Sequence, residues 1–280
     1  MNHHIEFEIK PPPRIARLNV DELWRYRDLF LTMAWRDFSV RYKQTALGVL
    51  WAVFQPLITM LIFTFIFNRV AKVESGDGTP YPIFVYFGLI VWQYFAGTLS
   101  KASESMVVNQ AMIQKVYFPR VILPAASAIT SFADMCFSGV ILMGMLIYYH
   151  QAIVLTRLLV LPILLITLML CSMGIGLFLS ALNVKYRDVR HALPFLIQTA
   201  MYCTPVVYPA QVFNGYPIAK ELMLWLNPVS GIITNLRTAL LSQAGTNWAS
   251  VGICLLASII YFEIGLNYFK STEKFFSDVI

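Results

Sequence analysis

The chain has 280 residues, of which 58% are hydrophobic and 13% are charged, and its formal net charge is +6. Soluble domains carry roughly 25% charged residues, so this composition predicts an integral membrane protein and argues against a soluble enzyme or a nucleic-acid binder. Four cysteines without paired spacing lie inside apolar stretches, which argues against a disulfide framework or a zinc site: Cys136, Cys171, Cys203 and Cys254.

The segment Asp21–Lys43 has the periodicity of an amphipathic helix with a basic polar face. Its apolar face comprises Trp24, Leu31, Trp35, Phe38 and Tyr42. The segment is too charged to span a bilayer, so we expect a helix in the membrane interface, with packing on protein as the alternative. Residues 1–46 contain no apolar core region, so we expect no cleavable signal sequence and assign them to a cytoplasmic N-terminal segment.

Six apolar blocks follow, most of them near the ~20 residues that a membrane-spanning helix needs. They predict an all-α integral membrane protein with six transmembrane helices over residues 47–270 and a cytoplasmic tail over residues 271–280. The fifth block is short and contains two prolines, so its ends are the least defined. The blocks are Gly48–Asn68, Tyr81–Leu99, Val121–Tyr149, Leu158–Leu182, Leu193–Tyr208 and Trp248–Phe269.

Several side chains in these blocks are candidates for contacts beyond their own helix. A row of small residues in the fourth block, Ser172, Gly176 and Ser180, predicts a close helix contact. Rings at span ends commonly form interfacial belts, whereas rings that face a channel could stack on sugars. The candidate channel rings are Trp51, Phe54, Phe63, Tyr86, Trp92 and Tyr94.

The connection Lys101–Arg120 is too polar to span and too apolar for a simple linker. Its middle, Ser105–Val116, predicts a short amphipathic helix with Met106 and Ile113 on one face. Phe118-Pro119-Arg120 should end that helix, because the residue before a proline is driven out of helical geometry. The segment is either an interfacial loop or a docking surface through which a partner moves the adjacent spans.

Basic residues are distributed unequally between the two sides that six spans would define. Sixteen of the 21 Lys and Arg residues fall on the side of the two termini and of residues 101–120. The positive-inside rule therefore predicts that both termini and this connection are cytoplasmic.

The connection Pro209–Asn247 contains two short apolar segments, PIAKELMLWL and VSGIITNLRTALL, each carrying charge. They predict two helices that dip into the outer leaflet and return, over residues 209–245. Such a pair suggests a gate, and two interfacial helices without a gating role fit the pattern equally well.

Candidate chemistry is sparse. Asp134 lies within the third block and Glu263 near the inner end of the sixth, where it could snorkel or pair with a cation such as Arg41. The sequence offers no catalytic constellation, no metal spacing and no phosphate-binding GxxxxGK[ST] motif. An ATP-driven process would therefore need an ATPase on another polypeptide.

Several runs resemble the permease subunits of ABC exporters of O-antigen and related cell-surface polysaccharides, over nearly the whole chain. The longest runs are LFLTMAWRDFSVRYKQTALGVLWAVFQPLITMLIFTFIF (Leu29–Phe67), VYFGLIVWQYF (Val85–Phe95) and QKVYFPRVILP (Gln114–Pro124). The later ones are NVKYRDVRHALPFLIQ (Asn183–Gln198), TPVVYP (Thr204–Pro209) and LNPVSGII (Leu226–Ile233).

The resemblance implies a homodimeric permease, not an enzyme, in the bacterial cytoplasmic (inner) membrane. It would work with two copies of an ABC ATPase that bind ATP and Mg, with no cofactor in this chain. The substrate implied is a polysaccharide on an undecaprenyl diphosphate carrier, moving through a channel between protomers. The alternatives are teichoic acid, capsule or another lipid or drug as substrate, a proton-coupled flippase, and a membrane-bound glycan-modifying enzyme.

The resemblance also implies site residues. A coupling helix, about Ser103–Tyr117, would contact the ATPase through Ser103, Glu104, Ser105, Asn109, Gln110, Gln114, Lys115, Tyr117 and Arg120. The gate would be built on Pro217–Leu226 and Pro228–Leu241, with Pro217, Trp225, Asn227 and Pro228 as its residues. For the carrier diphosphate we expect Arg36, Arg41 and Lys43, because they precede the first span.

Overall fold

The computed structural model describes residues 20–43, 45, 48–76, 78–151, 159–186, 188–241, 246–273 and 276, and every regular element among them is a helix. The N-terminal segment before residue 20 and most of the predicted tail lie outside the described residues. In chain order the helices are α1 Val20–Arg25, α2 Arg27–Tyr42, α3 Leu50–Phe63, α4 Tyr81–Val108, α5 Gln110–Ile113, α6 Ile122–Tyr148, α7 Val160–Lys185, α8 Val189–Cys203, α9 Pro217–Leu226, α10 Pro228–Leu240 and α11 Trp248–Glu273. A π-helical segment over Thr64–Val70 continues α3, and a 3₁₀ segment over Ala210–Gly215 precedes α9.

Five helices among the described residues are long and apolar enough to cross a membrane. They are Leu50–Val70, Tyr81–Val108, Ile122–Tyr148, Val160–Lys185 and Trp248–Glu273. They correspond to five of the six predicted blocks, so the chain is an all-helical, multi-pass membrane protein. α4 is the central helix, because 78% of its most apolar window is buried inside the protein, against 17% for Leu50–Val70.

The fifth predicted block does not form a helix of spanning length. Its helix, α8, has 15 residues, about 22 Å at the rise of an α-helix, and it starts and ends earlier than predicted. The backbone leaves helical geometry at Thr204 (φ −103°, ψ 139°) because Pro205 follows it.

The short α8 nevertheless connects two distant levels of α4. At its start Arg190 Nε lies 3.5 Å from Glu104 Oε1, near the end of α4. Beyond its end the Val206 carbonyl lies beside the first turn of α4, because Arg237 donates to both Val206 O (2.6 Å) and Phe84 O (2.7 Å). Phe84 and Glu104 are about 30 Å apart along α4 at an α-helical rise, so α8 and residues 204–206 traverse that thickness together.

Two hydrophobic clusters occupy opposite ends of the bundle. We call the end that carries α2, α5 and the last turns of α4, α7 and α11 the inner end, and the opposite end the outer end. The larger cluster, the outer core, is centred on α4 and extends to α7 and α10. The smaller inner core joins Met33 of α2, Ile113 of α5 and Phe118 to α7 and α11, with Phe276 beyond α11.

Helices α7 and α11 cross at their closest approach through two glycines. A Cβ at Gly265 would overlap the carbonyl oxygen of Gly174, and one at Gly174 would lie 2.6 Å from Phe262 N. The predicted row of small residues makes a close contact on a different face of α7: Gly176 approaches Ala102 of α4, and Ser172 Oγ lies 3.4 Å from Tyr94 Oη.

The predicted helix over Asp21–Lys43 is present, but it is interrupted at Tyr26. Trp24, Leu31 and Trp35 are 67%, 59% and 70% exposed, whereas Met33 and Ala34 face the bundle. The protein-facing side of α2 therefore includes only part of the aromatic side: Tyr42 is buried, and the Phe38 ring centroid lies 6.2 Å from that of Phe137 in α6.

The prediction of one continuous helix over Ser103–Tyr117 is wrong. α4 continues to Val108, Asn109 interrupts it (φ −100°, ψ 19°), and α5 has only four residues. The break occurs where the Asn109 side-chain amide donates to Ser105 O (2.8 Å) and so competes for a helix carbonyl.

Candidate functional site

A cluster of charged side chains joins three helices at the inner end. Asp134 of α6 accepts hydrogen bonds from Arg41 and Tyr42 of α2. Lys101 of α4 lies 3.2 Å from Asp134 Oδ2 and donates to Ser131 Oγ at the same distance. Neither Lys101 nor Asp134 is more than about a third exposed. We call Arg41, Tyr42, Lys101 and Asp134 the inner charge cluster.

The contacts in the inner charge cluster explain the position of Asp134 without a proton-transfer role. Asp134 is neutralised by two cations, so its burial does not call for a proton-transfer role. Arg41 pairs with Asp134, whereas Glu263 is exposed, so the predicted pairing of Glu263 with a cation such as Arg41 is not what forms. Burial and the hydrogen bond to Asp134 raise the pKa of the Tyr42 phenol, which therefore remains a proton donor.

A cavity of about 270 Å³ opens beside this cluster between α3, α4 and α6. Its polar wall includes Arg41, Lys101 and Asp134 together with Gln55 and Gln93. A second cavity, of about 400 Å³, lies next to it and shares Arg41 and Lys101. It also includes Arg36, which pairs with Asp37 at 2.7 Å, whereas Lys43 is exposed. The three cations expected for a diphosphate therefore differ in their surroundings: Arg36 and Arg41 each pair with a carboxylate of the chain, whereas Lys43 is exposed.

The predicted coupling residues divide into buried and exposed groups. Ser103, Ser105 and Asn109 are buried, and Ser105 Oγ donates to Ala102 O at 2.7 Å. They stabilise the end of α4 and offer little surface to a partner. Glu104 pairs with Arg190 on the neighbouring α8, and Gln110 is half-buried. The exposed group, at the tip of the segment, comprises Gln114, Lys115 and Tyr117, the last of which is 81% exposed.

The segment from α5 to α6 is anchored on the last helix. Phe118 is 3% exposed within the inner core, next to the exposed Tyr117. The Arg120 guanidinium donates to the carbonyl of Glu273 in α11 and lies 5.7 Å from the Phe276 ring centroid. Phe118 and Arg120 therefore connect the exposed tip to the ends of the spans.

The candidate channel rings also divide. Tyr86, Trp92 and Tyr94 are at most 4% exposed and pack inside the chain's own outer core. Phe63 is half-buried beside Phe67, with the ring centroids 5.8 Å apart. Trp51 and Phe54 are 51% and 47% exposed on α3, so these two have surface available to another molecule.

The candidate gate helices form a packed unit at the outer end. Pro217 and Pro228 open α9 and α10 at positions where their missing N–H groups cost nothing. Asn227, between them, donates from its side chain to Thr204 Oγ1 at 2.7 Å, and Pro228 is buried. Trp225 is 45% exposed.

Arg237 of α10 is a buried outer-end residue that the sequence analysis did not single out. It is 3% exposed and donates to the Pro205, Phe84 and Val206 carbonyls at 2.7, 2.7 and 2.6 Å. Its guanidinium lies 3.6 Å from the Phe84 ring centroid, and a Cβ at Gly88 would overlap it. An arginine inside an apolar helix is the signal that could have identified it.

In the part of the chain that the structure describes, no group of three or more His, Cys, Asp or Glu side chains could hold a metal ion.

The chain is similar to known membrane transport proteins. The family model described as ABC-2 type transporter matches residues 28–241. The O-antigen export system permease protein RfbA of Klebsiella pneumoniae is 27% identical over 253 residues, covering 90% of this chain and 95% of the relative. RfbA of Myxococcus xanthus is 23% identical over 93% of this chain and 98% of the relative. The polysialic acid transport protein KpsM of Escherichia coli is 22% identical over 85% of this chain and 91% of the relative.

Proposed function

The chain belongs to the ABC-2 type transporter family, and from that membership we propose that it exports a lipid-linked, O-antigen-like polysaccharide. The relatives named O-antigen export system permease protein are matched by this chain over almost their full lengths. The permease would act as a homodimer with two copies of a separate ATPase, which bind ATP and Mg. The observation that supports coupling to an ATPase is the exposed tip Gln114–Tyr117, joined through Phe118 and Arg120 to the spans.

The proposal includes six membrane crossings with both termini in the cytoplasm. α8 and residues 204–206 would form the fifth crossing, because they cover the same ~30 Å of α4 that a hydrocarbon core requires. The non-helical backbone at Pro205 and Val206 is tolerable at that depth because Arg237 satisfies both carbonyls. The inner end, which carries most of the Lys and Arg residues, would face the cytoplasm.

In this mechanism the ATPase binds the exposed tip. When the ATPase closes on ATP, it moves the segment from α5 to the start of α6 as a rigid body. The four-residue α5 is too short to act as an independent lever. Movement would instead be passed through Phe118 and Arg120 to the ends of α6 and α11. α9 and α10 would gate the channel at the outer end, with Arg237 holding α10 against α4.

The transported glycan would pass between two protomers along the exposed α3 face. Trp51 and Phe54 are the rings best placed to stack on sugars, because they are exposed and not packed in the core. Arg36 and Lys43 would contact the carrier diphosphate. The Arg36–Asp37 pair is half-buried at the surface, and pairs near the surface stabilise by only about 0–1 kcal/mol, so it does not prevent this contact. Arg41 is held by Asp134 and is not part of this proposed contact.

A capsular polysaccharide is the second candidate substrate, because relatives named polysialic acid transport protein match most of the chain. Deleting the gene for this chain and identifying the surface glycan that is lost would separate the two classes.

The test of the coupling role is a charge and shape change at the tip. Lys115→Glu with Tyr117→Asp should abolish export and reduce co-purification of the ATPase, while the permease remains in the membrane. Lys185→Glu, at the exposed end of α7 on the inner end, is the control and should retain both. Unchanged export and co-purification in the double variant would contradict the proposed contact.

A further inference from the structure

We infer that the cleft between α4 and α6 binds one anionic glycerophospholipid, with its phosphodiester on Arg41 and Lys101. This occupant is a resident lipid of the bilayer, not the exported substrate, so the inference does not depend on the proposed function. It rests on the level of the inner charge cluster, the cavity beyond it, and the charge balance between them.

The inner charge cluster lies at the level where lipid phosphates are found. The segment Leu50–Val70 has 21 residues, about 30 Å at a helical rise, which matches the hydrocarbon core. Ser138 Oγ donates to Ala52 O at 2.9 Å, so Ser138 is level with the start of α3. Asp134 lies one helical turn closer to the inner end, just outside the hydrocarbon.

An apolar cavity lies next to the cavity of this cluster, towards the hydrocarbon region. It measures about 950 Å³ and shares Ile90 and Met135 with the cavity beside the charge cluster. From there its lining follows α6 to His150 and also includes side chains of α7 and α10. Among the described residues that line it, the strongly polar ones are His150 and Gln151, at the far end. A polar head region followed by a long apolar cleft is the shape of a membrane lipid entering from the inner end.

The charge balance favours a phosphodiester over a diphosphate. Arg36 and Asp37 neutralise each other, as do Glu104 and Arg190. Arg41 and Lys101 face the single carboxylate of Asp134, which leaves one positive charge in excess. A phosphodiester carries one negative charge and would neutralise the cluster, whereas a zwitterionic head adds an ammonium group beside two cations.

The test measures lipids retained by the full-length chain from bilayer nanodiscs that contain phosphatidylglycerol, phosphatidylethanolamine and a polyprenyl diphosphate, by native mass spectrometry. The wild-type chain should retain one phosphatidylglycerol in preference to the other two. Lys101→Gln should reduce this retention about fivefold, since each cation near a phosphate contributes about 1 kcal/mol. Lys185→Gln removes one positive charge at the exposed end of α7, outside both cavities, and should leave retention unchanged.

The apolar part of the site has its own matched pair on α6. A side chain at Gly139 would project into open space, and Gly139 lines the cleft, so Gly139→Phe should fill the cleft and displace the lipid. Gly144 also has open space around it but is not part of that lining, so Gly144→Phe should retain the lipid. Asp134→Asn removes the competing carboxylate and should increase retention.

Retention that is equal in Lys101→Gln, Gly139→Phe and the wild type would overturn the inference. Preferential retention of the polyprenyl diphosphate would overturn the assignment to a resident lipid and identify a carrier site instead. Absence of any retained lipid from the wild-type chain would also overturn it.

Discussion

Arg237 shows how one buried cation can hold several segments of a membrane protein together. Its guanidinium satisfies carbonyls of the first turn of α4 and of the non-helical turn after α8. The Pro205 and Val206 carbonyls lie where Pro205 has interrupted the helix, and water would otherwise be needed to satisfy them. Arginine suits the position because its planar group donates in several directions at once.

Replacing Arg237 with Leu should therefore lower the free energy of unfolding by roughly 3 kcal/mol, because three buried carbonyls lose a charged donor. Arg237→Lys should lower the free energy of unfolding by an intermediate amount, because lysine keeps the positive charge but lacks the planar guanidinium that donates to several carbonyls at once. The measurement is denaturant unfolding in mixed micelles. Arg190→Leu removes an exposed arginine and should cost less than about 1 kcal/mol. Equal effects of the two leucine substitutions would show that Arg237 is not a structural clamp.

At the same scale, the sequence identified Asp134 and the basic residues of α2 but not their association. Arg41 and Asp134 are 93 positions apart, and their pairing depends on how α2 packs on α6. Periodicity describes one helix at a time and cannot supply that contact. The buried positions of Ser103 and Ser105 were missed for a related reason, because polar residues on a helix near α7 can be enclosed by a neighbour.

Among the elements, sequence periodicity and length predicted five long helices well, because a spanning helix is determined by apolar composition over ~20 residues. The errors fall where a local side-chain interaction overrides periodicity. Asn109 ends α4 by bonding to Ser105 O, so the expected coupling helix is divided. Pro205 drives Thr204 out of helical geometry, so α8 ends at Cys203, five residues before the end of the predicted fifth block.

The crossing of α7 and α11 provides a prediction at the level of elements. Gly265→Ala should force the two helices apart, because the added Cβ overlaps the Gly174 carbonyl, a backbone atom that cannot rotate away. We expect a loss of about 1–3 kcal/mol in unfolding free energy, typical of overpacking. Gly252→Ala on the same helix is the control, since its Cβ would meet open space. A similar stability of both variants in thermal unfolding would contradict the close crossing.

In the whole molecule, the outer and inner cores divide the structural roles. The outer core contains α4 from Tyr81 to Leu99, the first half of α7 and much of α10, and it packs these helices against one another. The inner core is smaller and joins α2, α5 and the ends of α6, α7 and α11. Composition and charge predicted a membrane protein with a basic inner end, but the separation into two cores arises only from packing between distant segments.

The inner core leads to a prediction that separates binding of the ATPase from transmission of its movement. Tyr117 and Phe118 are neighbours, yet Tyr117 is 81% exposed and Phe118 is 3% exposed. Tyr117→Ala should weaken binding of the ATPase, because it removes exposed surface at the tip. Phe118→Ala should leave that surface in place and loosen the anchor in the inner core, where losing a buried ring costs about 3–5 kcal/mol.

With the proposed ATPase bound, Phe118→Ala should therefore keep ATP hydrolysis near the wild-type rate while export falls severalfold. Tyr117→Ala should reduce hydrolysis and export together, and a higher ATPase concentration should restore both. The measurement is parallel ATP hydrolysis and glycan translocation in proteoliposomes, with the amount of bound ATPase determined for each variant. If excess ATPase restored export equally in both variants, Phe118 would belong to the binding surface, and the inner core would not be the route by which movement reaches α6 and α11.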